Sequence, residues 1–408
     1  MYDLLKGLTV VEGSSFVAAP LCGLTFAQLG AEVIRFDQIG GGLDFGRWPL
    51  ATNGRSLYWE GLNKGKKSVA IDLGRPEGRE LACALITAPG ENAGLFVTNF
   101  PAGGFLAHDK LAARRPDLIT LRVTGSSDAS SALDYTINSA AGYPLITGPV
   151  DAKGPVNHVL PAWDISCGLT AAVTLLAAER ARRLGGHGQE IRLALSDVAF
   201  SMLGHLGQIG EVLVNHQERE RIGNALYGAF GRDFATRDGR SVMICAITRK
   251  QWNGLLEAFG LTAAVDALAS RLGVDFGADE GARFIHREAL FAIVEPAIAQ
   301  IDYATCAGKL DEHGVCWGPY RTVTEALAED KRLSLDNPMF SMVSHPSGAT
   351  YLTPGYPAAL SVTPRQPARS APDLGQHTEE VLADRMKLSA AEIGRLHDAG
   401  VVASPRRA

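Results

Sequence analysis

The chain has 408 residues, 46 % of them hydrophobic and 20 % charged, which excludes a disordered or low-complexity polymer. With 39 Lys and Arg against 44 Asp and Glu, the net charge is −5, and no basic tract is long enough to track a phosphate backbone, so nucleic acid is not the expected partner. The length suits two domains, or one large domain with an inserted piece.

Residues 8–12 (Leu-Thr-Val-Val-Glu) read as a short buried strand, Pro20 opens a helix that runs to Leu29 and stops at Gly30, and residues 31–37 form a second strand. Strand, helix and strand in so short a run are the unit of a parallel sheet with a right-handed crossover. Residues 68–72, 94–97 and 118–124 continue the strands, with a helix over 76–87, and the alternation predicts an α/β fold. From 162 to 183 small, helix-favouring residues predict a helix buried on most sides, with Asp164 in its first turn. A strand at 189–195 and one long amphipathic helix at 197–214 follow, and the charged run His216–Arg221 reads as an exposed helix end or linker. The texture then changes to a hairpin over 227–247, turning at Arg237-Asp238-Gly239-Arg240, and to helices at 250–259, 281–300 and 303–313. Strand-and-turn texture returns near 330 and ends in helices at 378–384 and 390–399. The predicted architecture is a Rossmann-like open parallel sheet in a large discontinuous domain plus a smaller α+β domain. Residues 1–200 form the first part of the large domain, 201–226 a linker helix, 227–329 the small domain, and 330–408 a return linker and the rest of the large domain.

The longest small-residue apolar run, residues 168–178, falls short of the roughly 18–20 residues of a membrane-spanning helix. Neither an export signal nor an Arg-rich leader opens the chain, so a cytoplasmic location is expected. Six scattered cysteines without a CxxC pair predict free thiols and no structural zinc. The first strand-to-helix turn, Glu12-Gly-Ser-Ser-Phe-Val-Ala-Ala-Pro20, has one glycine, so the GxGxxG cradle of a dinucleotide site is missing although Asp37 stands where a ribose-binding acid would. Gly40-Gly41-Gly42 lacks the Lys-Ser/Thr of a phosphate loop and reads as a mobile segment able to approach a ligand. The Lys64-Gly-Lys-Lys67 cluster and Arg47 are either solvated turn residues or an anion site, and Cys167 reads as a buried small hydrophobe. Asp164 carries two compatible readings. It is an N-cap accepting from first-turn amides, or a nucleophile whose pKa is depressed by the helix N-terminus.

Residues 5–12 (LKGLTVVE), 27–35 (AQLGAEVIR), 62–72 (LNKGKKSVAID), 97–100 (VTNF), 314–319 (GVCWGP) and 374–382 (LGQHTEEVL), in this order and spacing, resemble the class III CoA-transferases, the family of formyl-CoA and carnitine CoA-transferases and α-methylacyl-CoA racemase. The resemblance covers nearly the whole chain. It implies that Asp164 is the nucleophile. Val17 and Ala18 would lie near the adenosine of CoA, Ile71, Asn99 and Phe100 along the ligand, and Arg35, Gly41, Gly42, Arg47, Leu133 and Tyr135 would complete the CoA- and substrate-binding set. It also implies an acyl-CoA substrate, no metal, no cofactor beyond the CoA that the substrate carries, and ring-shaped subunits interlocked in a homodimer. Leu133 stands where the racemase has a histidine, which argues against racemisation. The glycine-rich flap of formyl-CoA transferases has no counterpart near residues 246–250. Residues 11–21, 40–44, 47–49, 157–165 and 223–234 narrow the resemblance to members that move CoA within one molecule, between the C1 and C4 carboxyls of mesaconate. Transfer from a dicarboxylic acyl-CoA to a separate acid is the alternative.

Overall fold

The computed structural model describes residues 1–101 and 103–405. The apolar runs become strands β1 (Thr9–Gly13), β2 (Glu32–Asp37), β3 (Lys67–Ile71), β4 (Leu95–Thr98), β5 (Ile119–Thr124) and β6 (Gln189–Ala194) of one sheet. They pair in parallel in the order β3-β2-β1-β4-β5-β6, the doubly wound arrangement of Rossmann-like folds. At its centre Val11 of β1 opposes Ile34 on one side and Phe96 on the other, and every residue of β1 is buried. Covering on both faces explains why these strands read as continuous rather than alternating apolar runs.

Three further strands, β7 (Phe230–Ala235), β8 (Ser241–Ala246) and β9 (Cys316–Pro319), form an antiparallel sheet in that order. The β7–β8 hairpin turns at the predicted residues, with Gly239 at φ 79°. A second hairpin, β10 (Phe340–Ser344) and β11 (Thr350–Pro354), precedes β12 (Val402–Ala403), which adds antiparallel to β3 with Val402 opposite Ile71.

The chain divides into two compact units. The first comprises Met1–Ala141, Val159–Asn215 and Lys331–Ala408, and the second Gly142–His158 and His216–Asp330. In the first unit Ile34, Phe36, Val69, Ile71 and Phe96 of the sheet pack with Leu81, Leu85 and Val381. The second is built on Phe230, Phe234, Trp252 and Phe291, with the rings of Phe230 and Trp252 5.2 Å apart. Residues 142–158, read from sequence as part of the large domain, belong to the second unit. There Arg221 donates to the carbonyls of Ala152 (2.5 Å), Gly154 (2.9 Å) and Pro144 (3.1 Å). This segment has no apolar periodicity, and backbone carbonyls gathered by a guanidinium far along the chain decide its place.

The helix predicted over 197–214 is two helices, Leu195–His205 and Gln208–Asn215, parted by Gly207 at φ 77°, a backbone conformation that ends an α-helix. The prediction over 281–300 likewise resolves into Glu280–Ile285 and Arg287–Ala299. Helices Thr262–Leu272 and Asp134–Ala140 were not anticipated. No single helix among the described residues is long and apolar enough to cross a membrane.

Candidate active site

From β1 the sheet grows one way through β2, and from β4 the other way through β5, so the carboxyl ends of β1 and β4 flank the crevice where doubly wound sheets hold ligands. Asn99, directly after β4, stitches the two together. Its Oδ1 accepts from the Ser15 N–H (2.9 Å) and its Nδ2 donates to the Ser15 carbonyl (2.7 Å). Two cavities meet here and share Phe16, Asn99, Phe100 and Pro101. One, of about 820 Å³, is walled by Val17, Ala18, Arg47, Tyr58, Leu133, Tyr135 and Asp164. The other, of about 850 Å³, is walled by Gly41, Gly42, Arg79 and Phe105. The sequence set therefore falls on both cavities, and Val17 and Ala18 line the one that holds Asp164. Gly41, at φ 92°, allows the loop after β2 to fold tightly, since a Cβ there would lie 2.5 Å from the Phe45 ring.

Asp164 is the third residue of helix Ala162–Gly185, whose N-cap position, Pro161, makes no side-chain cap. The capping is done from outside by Asp134 at the start of helix Asp134–Ala140. Its buried carboxylate accepts from the N–H groups of Trp163 (2.7 Å) and Asp164 (3.0 Å). Trp163 Nε1 donates to Asn138 on the same helix (3.1 Å), which pins the two helices together. Gly168 permits the close approach of Ala162–Gly185 to helix Ala18–Gln28, because a Cβ there would come within 2.7 Å of the Ala18 carbonyl oxygen.

Asp164 is thus relieved of the N-cap role and faces the cavity. Its carboxyl is pushed up to about 6, first by burial and then by the charge of Asp134, against an opposing pull from Arg47. This corrects the expectation of a depressed pKa. The nearest helix amides are taken by Asp134, so desolvation outweighs the dipole. The group is still mostly ionised at neutral pH. One turn on, Cys167 is fully buried with its thiol pushed up to about 12 by burial and by Asp164, so it stays a protonated hydrophobe.

Arg47 is exposed to the cavity, with its guanidinium carbon 5.3 Å from the Phe16 ring centre and 5.4 Å from that of Tyr58. Phe16 holds φ 68°, a conformation that costs a bulky residue about 1–3 kcal/mol. The Tyr58 hydroxyl is buried without a hydrogen-bond partner among the described residues, and burial pushes it up to about 12, so it remains a donor. Sequence reasoning missed Phe16, Tyr58 and Asp134 as site residues. None carries a local motif, and only the fold brings them to one wall.

Two members of the predicted binding set lie elsewhere. Arg35 is 1 % exposed, with Nη2 bonded to Asp37 (2.8 Å), Asp44 (3.0 Å) and the Ser14 carbonyl (2.9 Å), Nη1 to Asn63 (3.2 Å), and Trp59 stacked 4.5 Å away. It is an internal cation that ties the loop after β2 to the sheet, and Asp37 is accordingly committed to it rather than to a ribose. Ile71 is wholly buried in the core on β3, opposite Val402. Within the lysine cluster, Lys66 and Lys67 are committed to internal ion pairs, and Lys64 is buried rather than solvated. Lys66 is buried against Glu12 (2.9 Å), and Lys67 bridges Glu32 and Glu380 (both 2.6 Å).

A doubly wound sheet with a carboxylate at its switch point places the chain in a defined class, and the family model for CoA-transferase family III matches residues 5–378. The chain belongs to that family and is an enzyme of this class. Among its relatives, 2-methylfumaryl-CoA isomerase of Chloroflexus aurantiacus is 54 % identical over the full length of both chains. Succinyl-CoA:mesaconate CoA-transferase of Haloarcula hispanica is 28 % identical over 93 % of this chain and 95 % of its own. A CAIB/BAIF family protein from Brucella suis superposes with a TM-score of 0.76 at 26 % identity, covering 94 % of this chain and all of that one.

Proposed function

We propose that this enzyme moves CoA between the C1 and C4 carboxyls of mesaconate, converting 2-methylfumaryl-CoA into 3-methylfumaryl-CoA through a covalent intermediate on Asp164. The observation that carries the reading is a partly desolvated carboxylate that takes no part in capping its helix, in a chain 54 % identical to a protein named for this isomerisation. The Asp164 carboxylate attacks the thioester carbonyl and expels CoA thiolate, giving a mixed anhydride. The thiolate attacks the aspartyl carbonyl, which leaves an aspartyl-CoA thioester and free mesaconate dianion. Mesaconate then presents its other carboxylate to the aspartyl carbonyl and expels the thiolate again. Attack of the thiolate on the new mesaconyl carbonyl releases product and restores Asp164. Every bond broken is matched by one formed.

Arg47 is the cation proposed to hold the idle carboxylate, with the unpartnered Tyr58 hydroxyl as a neighbouring donor. The nucleotide end of CoA is assigned to the second cavity, along Gly41, Gly42, Asn99 and Phe100, where Arg79 supplies positive charge. This departs from the expectation that placed the adenosine near Val17 and Ala18, which line the cavity of Asp164. Leu133 lies on the wall near Asp164 with no acid–base group, which disfavours racemisation.

The decisive experiment follows turnover of unlabelled 2-methylfumaryl-CoA in excess ¹³C-mesaconate, with mass spectrometry of the CoA esters and of the peptide holding Asp164. Product without label, together with a CoA adduct on Asp164, is the expected result. Label entering at the rate of turnover would make this an ordinary intermolecular CoA-transferase.

The family resemblance also implies an interlocked homodimer of ring-shaped subunits. Helix Ala162–Gly185 exposes Leu169, Val173 and Leu176, and the helices after it expose Phe200, Leu213 and Val214, apolar side chains that a second copy would cover. Light scattering at micromolar concentration is expected to give twice the chain mass, and a monomer would refute the assignment.

A further inference from the structure

The intramolecular reading leaves a physical problem. Between the two transfers mesaconate is held by no covalent bond, and a small dianion leaves an open cavity quickly unless a fixed cation detains it. Arg47 is exposed, and no carboxylate among the described residues is within ion-pair distance of it. An unbraced guanidinium on such a loop samples many rotamers and would be a poor detainer.

The two aromatic faces over Arg47 supply the brace. Tyr58 comes from helix Leu57–Leu62, while Phe16 comes from the turn between β1 and helix Ala18–Gln28, so the contacts reach Arg47 from separate elements. Phe16 is the informative one. At φ 68° glycine would be at ease, and what phenylalanine adds is a ring, which is directed at the guanidinium. Phe16 and Arg47 both line the cavity that contains Asp164, and Phe16 also lines the neighbouring one.

We infer that Phe16 is a specificity-determining positioning residue: with Tyr58 it clamps the Arg47 guanidinium, so that the displaced dicarboxylate is retained until CoA returns to its other end. The inference rests on the intramolecular function proposed above. Phe16 acts through Arg47, and its loss relaxes retention without removing the nucleophile.

The test measures ¹³C-mesaconate incorporated per turnover in wild type, Phe16→Ala, Phe16→Gly and Phe16→Tyr. Wild type and Phe16→Tyr, which keeps the aromatic face, are expected to exclude label. Phe16→Ala and Phe16→Gly are expected to admit at least about tenfold more, with kcat reduced and KM for the CoA ester changed less than about threefold. Phe16→Gly relieves the backbone strain, so its label uptake reports the missing ring and not a folding defect. Label exclusion by wild type and by Phe16→Gly alike would overturn the clamp alone. Label uptake by wild type at the turnover rate would overturn the intramolecular reading, and the clamp with it.

Discussion

Asp164→Asn is expected to lower kcat by on the order of 10⁴-fold or more while raising thermal stability at pH 8. The loss follows because an amide oxygen cannot form the mixed anhydride, and among the described residues the other acid on the cavity wall, Asp134, is engaged as the helix cap. The gain follows from linkage. A carboxyl held at about 6 in the folded chain, against an ordinary 3.8, penalises the ionised native state. Below pH 4 both folded and unfolded states carry the proton, and the group is neutral in its effect. Between about 4 and 6 the folded state binds more protons than the unfolded, so stability falls as pH rises. Above 6 the penalty is full, of order 2–3 kcal/mol. Asn lacks it, so thermal scans at pH 4 and pH 8 should show a variant advantage at pH 8 only. In wild type, kcat/KM should rise through an acid limb centred near pH 6, and Asp134→Asn should move that limb to lower pH. The asparagine oxygen can still accept from Trp163 and Asp164, but the negative neighbour is gone. An acid limb unmoved by Asp134→Asn would remove Asp134 from the account of Asp164.

Arg35→Met is expected to be the most destabilising single change in the first unit, by about 3–5 kcal/mol. Its guanidinium is surrounded by Glu12, Asp37 and Asp44, all at most 2 % exposed, and Lys66 is then the remaining cation, held against Glu12. Burial already holds the Asp44 carboxyl above its usual range despite the pull of Arg35. Without that pull, folding would require buried acids to take up protons, so the variant should lose stability relative to wild type as pH rises from 5 to 8. The loop after β2 carries both Asp44 and Arg47, so activity should fall with the first unfolding transition. Arg35→Lys keeps a charge but not the fork that reaches Asp37, Asp44 and Ser14 together, and should give a partial loss. Calorimetry at the two pH values decides it, and an Arg35→Met chain as stable as wild type would show the network to be dispensable.

The fold was largely legible in the sequence because strands buried on both faces and small-residue helices write their burial into local composition. The parallel sheet, the helix that carries Asp164 in its first turn and the antiparallel hairpin at Gly239 all follow from runs of a few residues. The site was legible in part. Asp164 could be singled out as a lone acid at the head of an apolar helix, whereas Arg35, two residues from Asp37 on the same strand, gave no sign that its other anionic partners, Glu12 and Asp44, lay on β1 and in the loop after β2. Ile71 was drawn into the binding set although its side chain is part of the core. Helix Asp134–Ala140 is short and without apolar periodicity, and residues 142–158 are placed by Arg221, so neither could be read locally.

The sequence by itself determined that this chain alternates strand and helix around a single carboxylate, without the glycine cradle of a dinucleotide site, because those features are set by residues within a turn or two of each other. Only the tertiary structure decided that Asp134 caps the helix so that Asp164 need not, that burial raises rather than lowers the pKa of Asp164, and that Arg47 stands against two aromatic rings beside it. Desolvation and pairing between distant residues do not exist until the chain has folded, and the chemistry of the site is made of them.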